Sequence, residues 1–484
     1  MTEINRTNEK IKTSTKWFFA MGDVFQGGFF NLVNFFYAFF LTDVIGISPL
    51  WAGYIFLIGK VWDAVIDPGI GMLSDNTRSR FGRRRIYFLI GAPLVLLAFV
   101  MMWFPLSTGS EVSKIIFFIF AYVLMNTANA VVSVPFLAMS AELTTDYNER
   151  TSLTNTRMIV SIISSIICAV VPLLIVDSFA DIHLGYFVMA VVFGLFFSLP
   201  LLLVFFKVPE RRQFSEGKKG SVKDLFMSLR LKVFRRFVAM YLSIVVAMDV
   251  ISMIFIYYMT YNLERPTFEV SFVLGTLLIV EVATVPLAAW FAKKTSKTRA
   301  IILGNTGWIA CGLVSLFIGS ASPALAIYVL AGTMGFFIAF SLIGFTALFG
   351  DITEVGEYHF GRRVEGSFTG VQQFIRKVAA ALANWVALTL IGLSGFISPV
   401  EEIVDGAVTM VAQPQSEIVL LTIKGILGIS PILLLVPAII IALRWQLTKE
   451  RHTVLISYLD RKRAGLEATA QEEAEIEEIM KPLI

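Results

Sequence analysis

Asp63 and Asp67 stand four positions apart inside an apolar run. At helical spacing they share one face. Two carboxylates held close together in low dielectric resist double ionisation, so either a cation binds between them or one takes a proton. Lys60, one turn earlier on that face, could hold one carboxylate when the cation is absent. Ion coupling needs that behaviour. The alternative is a static Lys60–Asp63 ion pair that only locks the helix, although one lysine cannot neutralise both acids.

Other polar side chains also interrupt apolar runs, where an ionisable group costs several kcal/mol unless it faces a cavity or a partner. The first run carries Asp23, Gln26, Asn31 and Asn34, and the fourth carries Asn126, Asn129 and Ser133 at helical spacing. Such amides either glue helices together or touch a ligand. With Arg157, Gln372 and Lys377 they suit a polyhydroxyl or anionic ligand, because sugars need many donors and acceptors over an apolar face. Asp23, Gln26, Asn129, Ser133, Arg157, Gln372 and Lys377 are therefore the candidate substrate-binding residues. Arg376 and Lys377 point about 100° apart on a helix, so both cannot line one cavity equally. Asp249, Glu281 and Lys424 have no assigned role.

Several chemistries are excluded. His183, His359 and His452 fall in loops or the tail, and Cys168 and Cys311 form no ligand spacing, so a metal-dependent enzyme has little support. No metal is expected beyond Na⁺ at Asp63 and Asp67, and no cofactor. No Gly-x4-Gly-Lys-Ser/Thr loop occurs, which argues against ATP-driven pumping by this chain alone.

The elements that must position these residues follow from composition. Of 484 residues, 56% are hydrophobic and 13% aromatic, with a mean hydropathy of +0.76. The excess gathers into continuous runs long enough to cross hydrocarbon as helices. Their expected spans are 17–42, 49–74, 86–106, 114–139, 157–177, 184–207, 235–261, 269–292, 300–320, 323–349, 368–396 and 416–445. The first run is too long and too rich in Phe for a signal core, so it is expected to stay as a helix. Of the 40 Lys and Arg, only Lys114 and Arg265 fall in odd-numbered loops, and Lys60, Arg376, Lys377, Lys424 and Arg444 lie within or at the edge of spans. The rest sit in the termini and even-numbered loops, which places both termini in the cytoplasm.

The expected fold is all-α and integral to the membrane, with twelve transmembrane helices in two six-helix halves. The halves are residues 1–207 and 235–446, joined by a basic linker at 208–234 and followed by a cytoplasmic tail at 447–484. The tail is expected to be a solvated helix or disordered. The loop after the second run, Asp75 to Arg85, is echoed at the same place in the second half by Lys293 to Arg299. That echo suggests a duplicated unit of the major-facilitator type. Asp75, Arg78, Arg80, Gly82 and Arg83 form the candidate conformational gating loop.

The segment Trp62-Asp-Ala-Val-Ile-Asp-Pro68, with Gly71 and Asp75-Asn-Thr-Arg-Ser-Arg-Phe-Gly-Arg83, resembles the glycoside–pentoside–hexuronide:cation symporters. Gly22-Asp23, Thr42-Asp43-Val-Ile-Gly46, and Asp351-Ile-Thr-Glu-Val-Gly-Glu-Tyr358 with Arg363 and Glu365 agree with it. The resemblance implies a major-facilitator transporter that imports a sugar with Na⁺, Li⁺ or H⁺ by alternating access. It also implies that Asp63, Asp67 and Lys60 form the cation site, and that Arg157, Gln372 and Lys377 serve the substrate.

Two departures bear on the ion. Ile66 stands where the melibiose permeases have Asn, and Ala130 where they have Thr. Na⁺ wants several oxygens, so H⁺ is favoured. Gln26-Gly27, Ser133 and Leu137 replace a Lys-Asp pair, an Asp and a Trp, which removes the carboxylates that grip galactosyl hydroxyls. Arg157 and Lys377 then leave a positive cavity, which leans toward a hexuronide or another anionic glycoside.

The expected function is secondary import of a sugar or glycoside, a pentoside or hexuronide among them, with H⁺. The alternative is a same-fold carrier of a non-sugar amphiphile or lipid. The expected setting is the plasma membrane, as a monomer that binds no nucleic acid.

Overall fold

The computed structural model describes residues 10–106, 108–144, 146–210, 226–361, 365–404, 407–464, 466 and 469–484. Arg363 and residues 211–225 of the expected linker lie outside these. The first apolar run forms α1 (Thr13–Ala20), α2 (Asp23–Leu32) and two π-helical turns, Val33–Tyr37 and Phe40–Val44. Then come α3 (Pro49–Asn76), α4 (Arg85–Met102), α5 (Glu111–Glu142), α6 (Tyr147–Asp177) and α7 (Ile182–Lys207). After a 3-10 turn at Phe226–Arg230 follow α8 (Lys232–Tyr257), a π turn at Tyr258–Asn262, α9 (Thr267–Lys294) and α10 (Lys297–Ser315). Next are α11 (Ala324–Phe360), α12 (Glu365–Leu393), a hairpin of β1 (Val400–Val404) and β2 (Ala407–Val411), and α13 (Glu417–Leu443). α14 (Lys449–Arg463) and α15 (Ala470–Met480) follow in the tail.

Among the described residues, ten helices are long and apolar enough to cross a membrane. The other two of the twelve expected runs are helical as well. One is broken at Met21-Gly22 into α1 and α2, and the other is α10, which carries buried Asn305 and Ser315. Helix starts are written in the sequence. Ser110, Asp146 and Asp181 each accept a hydrogen bond from the backbone N–H three residues on, which satisfies a donor the helix itself cannot.

Four boundaries differ from expectation. α6 begins at Tyr147, so Arg157 lies well inside it rather than at its start. α11 runs to Phe360, so the Asp351 to Tyr358 segment is helix, and His359 sits in its last turn rather than in a loop. His183 lies in the first turn of α7 rather than in a loop. The loop before α13 pairs as a hairpin, with Val400 opposite Val411.

α3 shows how apolarity is arranged. Val61 is 54% exposed and Val65 65%, while Gly59, Lys60 and Asp63 are buried. A water-soluble protein would invert this, whereas lipid is a good solvent for the valines and a poor one for the charges.

The chain packs as two compact units. One comprises Met1–Gly217, Ser252–Gly275 and Ala381–Ile423, and the other Lys218–Ile251, Thr276–Ala380 and Lys424–Ile484. The first holds a buried aromatic core, in which Tyr37 stacks on Tyr122 at 5.4 Å and packs edge-on to Trp103 at 5.3 Å. The second holds a smaller apolar cluster of Ala288, Ala292, Ala300 and Phe340.

One backbone device occurs twice. Ile45 N–H reaches back to Phe40 O at 3.0 Å, and Ile47 N–H to Leu41 O at 2.9 Å. Leu263 N–H reaches Tyr258 O at 3.1 Å, and Arg265 N–H reaches Met259 O at 3.0 Å. The segments read Phe40-Leu-Thr-Asp-Val-Ile45 and Tyr258-Met-Thr-Tyr-Asn-Leu263. Within the first unit the Tyr261 hydroxyl donates to Asp43. The Thr42 hydroxyl lies 2.5 Å from the other Asp43 oxygen and 2.7 Å from the Tyr257 hydroxyl.

Candidate functional site

α3 presents Lys60, Asp63 and Asp67 along one side. Asp63 is fully buried, Lys60 is 9% exposed, and Asp67 is half-buried. The Lys60 ammonium lies 4.9 Å from the centre of the Phe30 ring of α2, a contact that favours a cation in an apolar setting. The helix reaches this position because residue 59 is glycine. A Cβ there would meet the Tyr122 ring at 2.1 Å and Asn126 Nδ2 at 3.1 Å. Asn126 donates to Tyr122 O at 2.8 Å, and Trp62 Nε1 donates to Thr127 Oγ1 at 2.8 Å. α3 is therefore held close on α5, by the bare Gly59 against Tyr122 and by the Trp62–Thr127 hydrogen bond. Ala130 is fully buried on α5 and supplies no side-chain oxygen.

The predicted substrate residues of the first unit form two groups. Arg157 on α6 grips Asp23 on α2 with both arms of its fork, Nε to Oδ2 at 2.7 Å and Nη2 to Oδ1 at 3.0 Å. Its third arm donates to Ser140 Oγ at 2.9 Å. The guanidinium sits 4.7 Å from the Phe136 ring centre and 5.7 Å from that of Phe19. Such a two-armed pair between aromatic faces is the geometry arginine is built for. α2 and α6 come this close because a Cβ at Gly27 would meet Ser161 Cα at 2.7 Å.

The second group is a chain of hydrogen bonds. Gln26 Nε2 donates to Ser133 Oγ at 2.7 Å, and Ser133 Oγ lies 2.8 Å from Asn129 Oδ1. Asp23 thus offsets the Arg157 charge. Sequence reasoning listed both Asp23 and Arg157 but did not pair them, since they lie 134 positions apart.

In the second unit, the Tyr241 hydroxyl of α8 hydrogen-bonds with Gln372 and Arg376 of α12, with Asp249 close by. Gln372 was anticipated. Arg376, one turn on, shares its cluster, while Lys377 is half-buried on the neighbouring face. Tyr241 went unnoticed because an apolar run hides a tyrosine.

The candidate gating loop is tied at three points. Arg83 and Arg84 bind Glu142 at the end of α5, at 2.7 and 3.0 Å, and Arg84 also binds Asp75 at 3.0 Å. The Glu210 carboxylate accepts the backbone N–H groups of Arg83, Arg84 and Arg85 at 3.0–3.2 Å, and so caps the start of α4. Gly82 makes room for this at φ +108, where a Cβ would meet Glu210 at 2.2 Å. Arg78 is exposed and Arg80 lies over the Phe81 ring. Arg84, Glu142 and Glu210 complete this tie, and sequence reasoning did not single them out. A carboxylate just beyond the end of α7 was the available signal.

Among the described residues, one group could hold a metal ion, namely Asp351, Glu354 and His452. Lys297 already occupies it, with Nζ 2.6 and 2.7 Å from the two Asp351 oxygens.

Comparison with known proteins agrees with this picture. A family model described as MFS/sugar transport protein matches residues 18–449. Uncharacterized symporter YnaJ of Bacillus subtilis (strain 168) is 28% identical over 467 residues, which is 94% of this chain and 96% of that one. The isoprimeverose transporter of Lactiplantibacillus pentosus is 25% identical over 402 residues, 80% of this chain and 82% of its own. The crystal structure of a D-xylose-proton symporter superposes with a TM-score of 0.64 at 14% identity, over 87% of this chain and 96% of that one, which shows the shared fold. The chain therefore belongs to the MFS/sugar transport family, and is a multi-pass transporter of the glycoside–pentoside–hexuronide:cation symporter type rather than an enzyme.

Proposed function

We propose that this protein imports a sugar or glycoside together with H⁺, with both termini in the cytoplasm and the two six-helix halves alternating access. The observation that carries the reading is Asp63, a fully buried carboxylate flanked by Lys60 and Asp67 on one side of α3. A charge carried inside an apolar helix must be met by a partner or a bound cation, and Lys60 stands one turn away on the same side. Ile66 and Ala130 supply no side-chain oxygens, which fits a proton better than Na⁺. The repeated π turn supports a duplicated six-helix plan.

The ligand side follows from the polar groups. Gln26, Ser133 and Asn129 already form a hydrogen-bond relay, which sugar hydroxyls can enter by exchanging one partner for another. With Arg157 held by Asp23, a neutral glycoside fits the first unit as well as an anionic one.

Uptake into proteoliposomes, screened over glycosides, pentosides and hexuronides at mildly acidic and mildly alkaline pH with and without Na⁺, tests the reading. Uptake should grow with an inward proton gradient and ignore Na⁺. Equal uptake at both pH values with a steep Na⁺ dependence would overturn proton coupling. Asp67→Asn should insert normally yet lose concentrative uptake, and normal accumulation by that variant would refute the coupling assignment.

A further inference from the structure

The second unit contains a cavity of about 830 Å³ at the end from which the tail emerges, a volume typical of small-ligand sites. Its walls come from the end of α9, the start of α10, α11, and the segment joining α13 to α14. None of its residues belongs to the candidate cation-coupling or substrate groups, although Lys297, Asp351 and His452 of the cluster described above line it.

The cavity is two-faced. One wall is apolar, formed by Ala289, Ala292, Ile343, Ala347, Leu348 and Leu447. The rim carries Lys293, Arg299 and Lys449, all exposed. Asp351 is engaged by Lys297, and Glu354 by His452, which leaves Glu450 as the acid facing the rim cations. Two helices also begin on this wall, α10 capped by Ser296 and α14 capped by Thr448. Their positive ends add to the attraction for an anion.

Depth points to the kind of anion. Trp290 is 55% exposed with the Lys294 ammonium 4.9 Å over its ring, a pairing found where hydrocarbon gives way to headgroups. Leu287 on α9 and Leu443 at the end of α13 are also exposed. The cationic rim thus begins where the apolar belt stops, and a basic pocket between helices at this level suits a lipid phosphate.

We propose that this cavity binds the phosphate of a membrane phospholipid, with the glycerol and first methylenes on the alanine-rich wall. The recognised chemistry is a phosphate group, which a lipid or free phosphate could bring, and the apolar wall favours the lipid.

The test uses the full-length protein in nanodiscs of phosphatidylcholine with and without phosphatidylglycerol, followed by native mass spectrometry of retained lipid. A parallel arm titrates inorganic phosphate onto detergent-purified protein while melting is followed. Wild type should retain phosphatidylglycerol and melt higher with it. Each cation removed from the rim should weaken retention about fivefold, so Lys293→Ala/Arg299→Ala/Lys449→Ala should lose it. The matched control Lys10→Ala/Lys462→Ala/Lys481→Ala should retain it. Ala347→Phe, which fills the apolar wall and leaves the charges, should lose lipid too. Stabilisation by phosphate alone, with no lipid retained, would overturn the lipid assignment. Equal retention by the rim and control variants would overturn the site altogether.

Discussion

At the scale of single residues, the strongest constraint is that charges out of water need partners. Asp23 and Arg157 satisfy each other with their side chains only 7% and 16% exposed. Removing one partner of such a pair strands the other, which costs about 3–5 kcal/mol. Arg157→Ala should therefore lower the melting temperature of the purified protein markedly. Asp23→Asn/Arg157→Gln, which strands no charge, should cost less than either single change. If Arg157→Ala melts like wild type but transports nothing, Arg157 is a ligand contact instead. Asp63 and Asp67 were legible in the sequence because a charge in an apolar run announces itself. Pairings such as Asp23 with Arg157 were not, because only folding brings α2 and α6 together, and the glycines that permit it look like any others.

At the scale of elements, two devices matter. The π turns at Phe40–Val44 and Tyr258–Asn262 carry Asp43 and Tyr261, whose hydrogen bond lies in the first unit with Asp43 only 3% exposed. π turns mark places where a regular helix gives way to function. Tyr261→Phe removes one donor from a buried carboxylate and should destabilise by about 1–3 kcal/mol, read as a fall in melting temperature. Addition of Asp43→Asn should then cost little more. Additive losses from the two changes would mean that the residues do not act through each other. The turns were hidden in the sequence, since a π turn keeps the apolar pattern of a helix. The hairpin had a signal, Asp405-Gly406 between two runs rich in valine, the pair that favours tight hairpins.

The second device is the tail. His452 of α14 lies 3.4 Å from Asp351 and contacts Glu354 at 2.5 Å, both on α11, while Lys297 of α10 also holds Asp351. The hydrogen bond that His452 donates to the Glu354 carboxylate raises its pKa above the ordinary 6.5, against the opposing effects of burial and Lys297. A group whose folded pKa is raised stabilises fully below the unfolded value and stops doing so as pH climbs through the folded one. The gap in melting temperature between wild type and His452→Gln should thus be widest below about pH 6.5 and close as pH rises above it. A gap that stays constant with pH would show that His452 docks α14 by packing alone. The sequence left the tail open between helix and disorder, because a charged helix is stable only once something receives it.

At the scale of the whole molecule, the argument is about sidedness. The twelve runs were readable because hydrocarbon demands continuous apolar helix, and Lys and Arg crowd the alternate loops. Only the break at Met21-Gly22 and the polar groups of α10 blur two of them. The bias predicts which loops face out, and the chain suits a direct measurement. Its two cysteines, Cys168 and Cys311, are buried, so background labelling by a membrane-impermeant maleimide should be low. Thr108→Cys, in the exposed loop between α4 and α5, should react on intact cells. Arg78→Cys, in the exposed loop between α3 and α4, should react only after the membrane is opened. Reversal of both results would invert the protein. Reaction of both from one side would mean that α4, the one helix between them, does not span, and the count of twelve would fall with it.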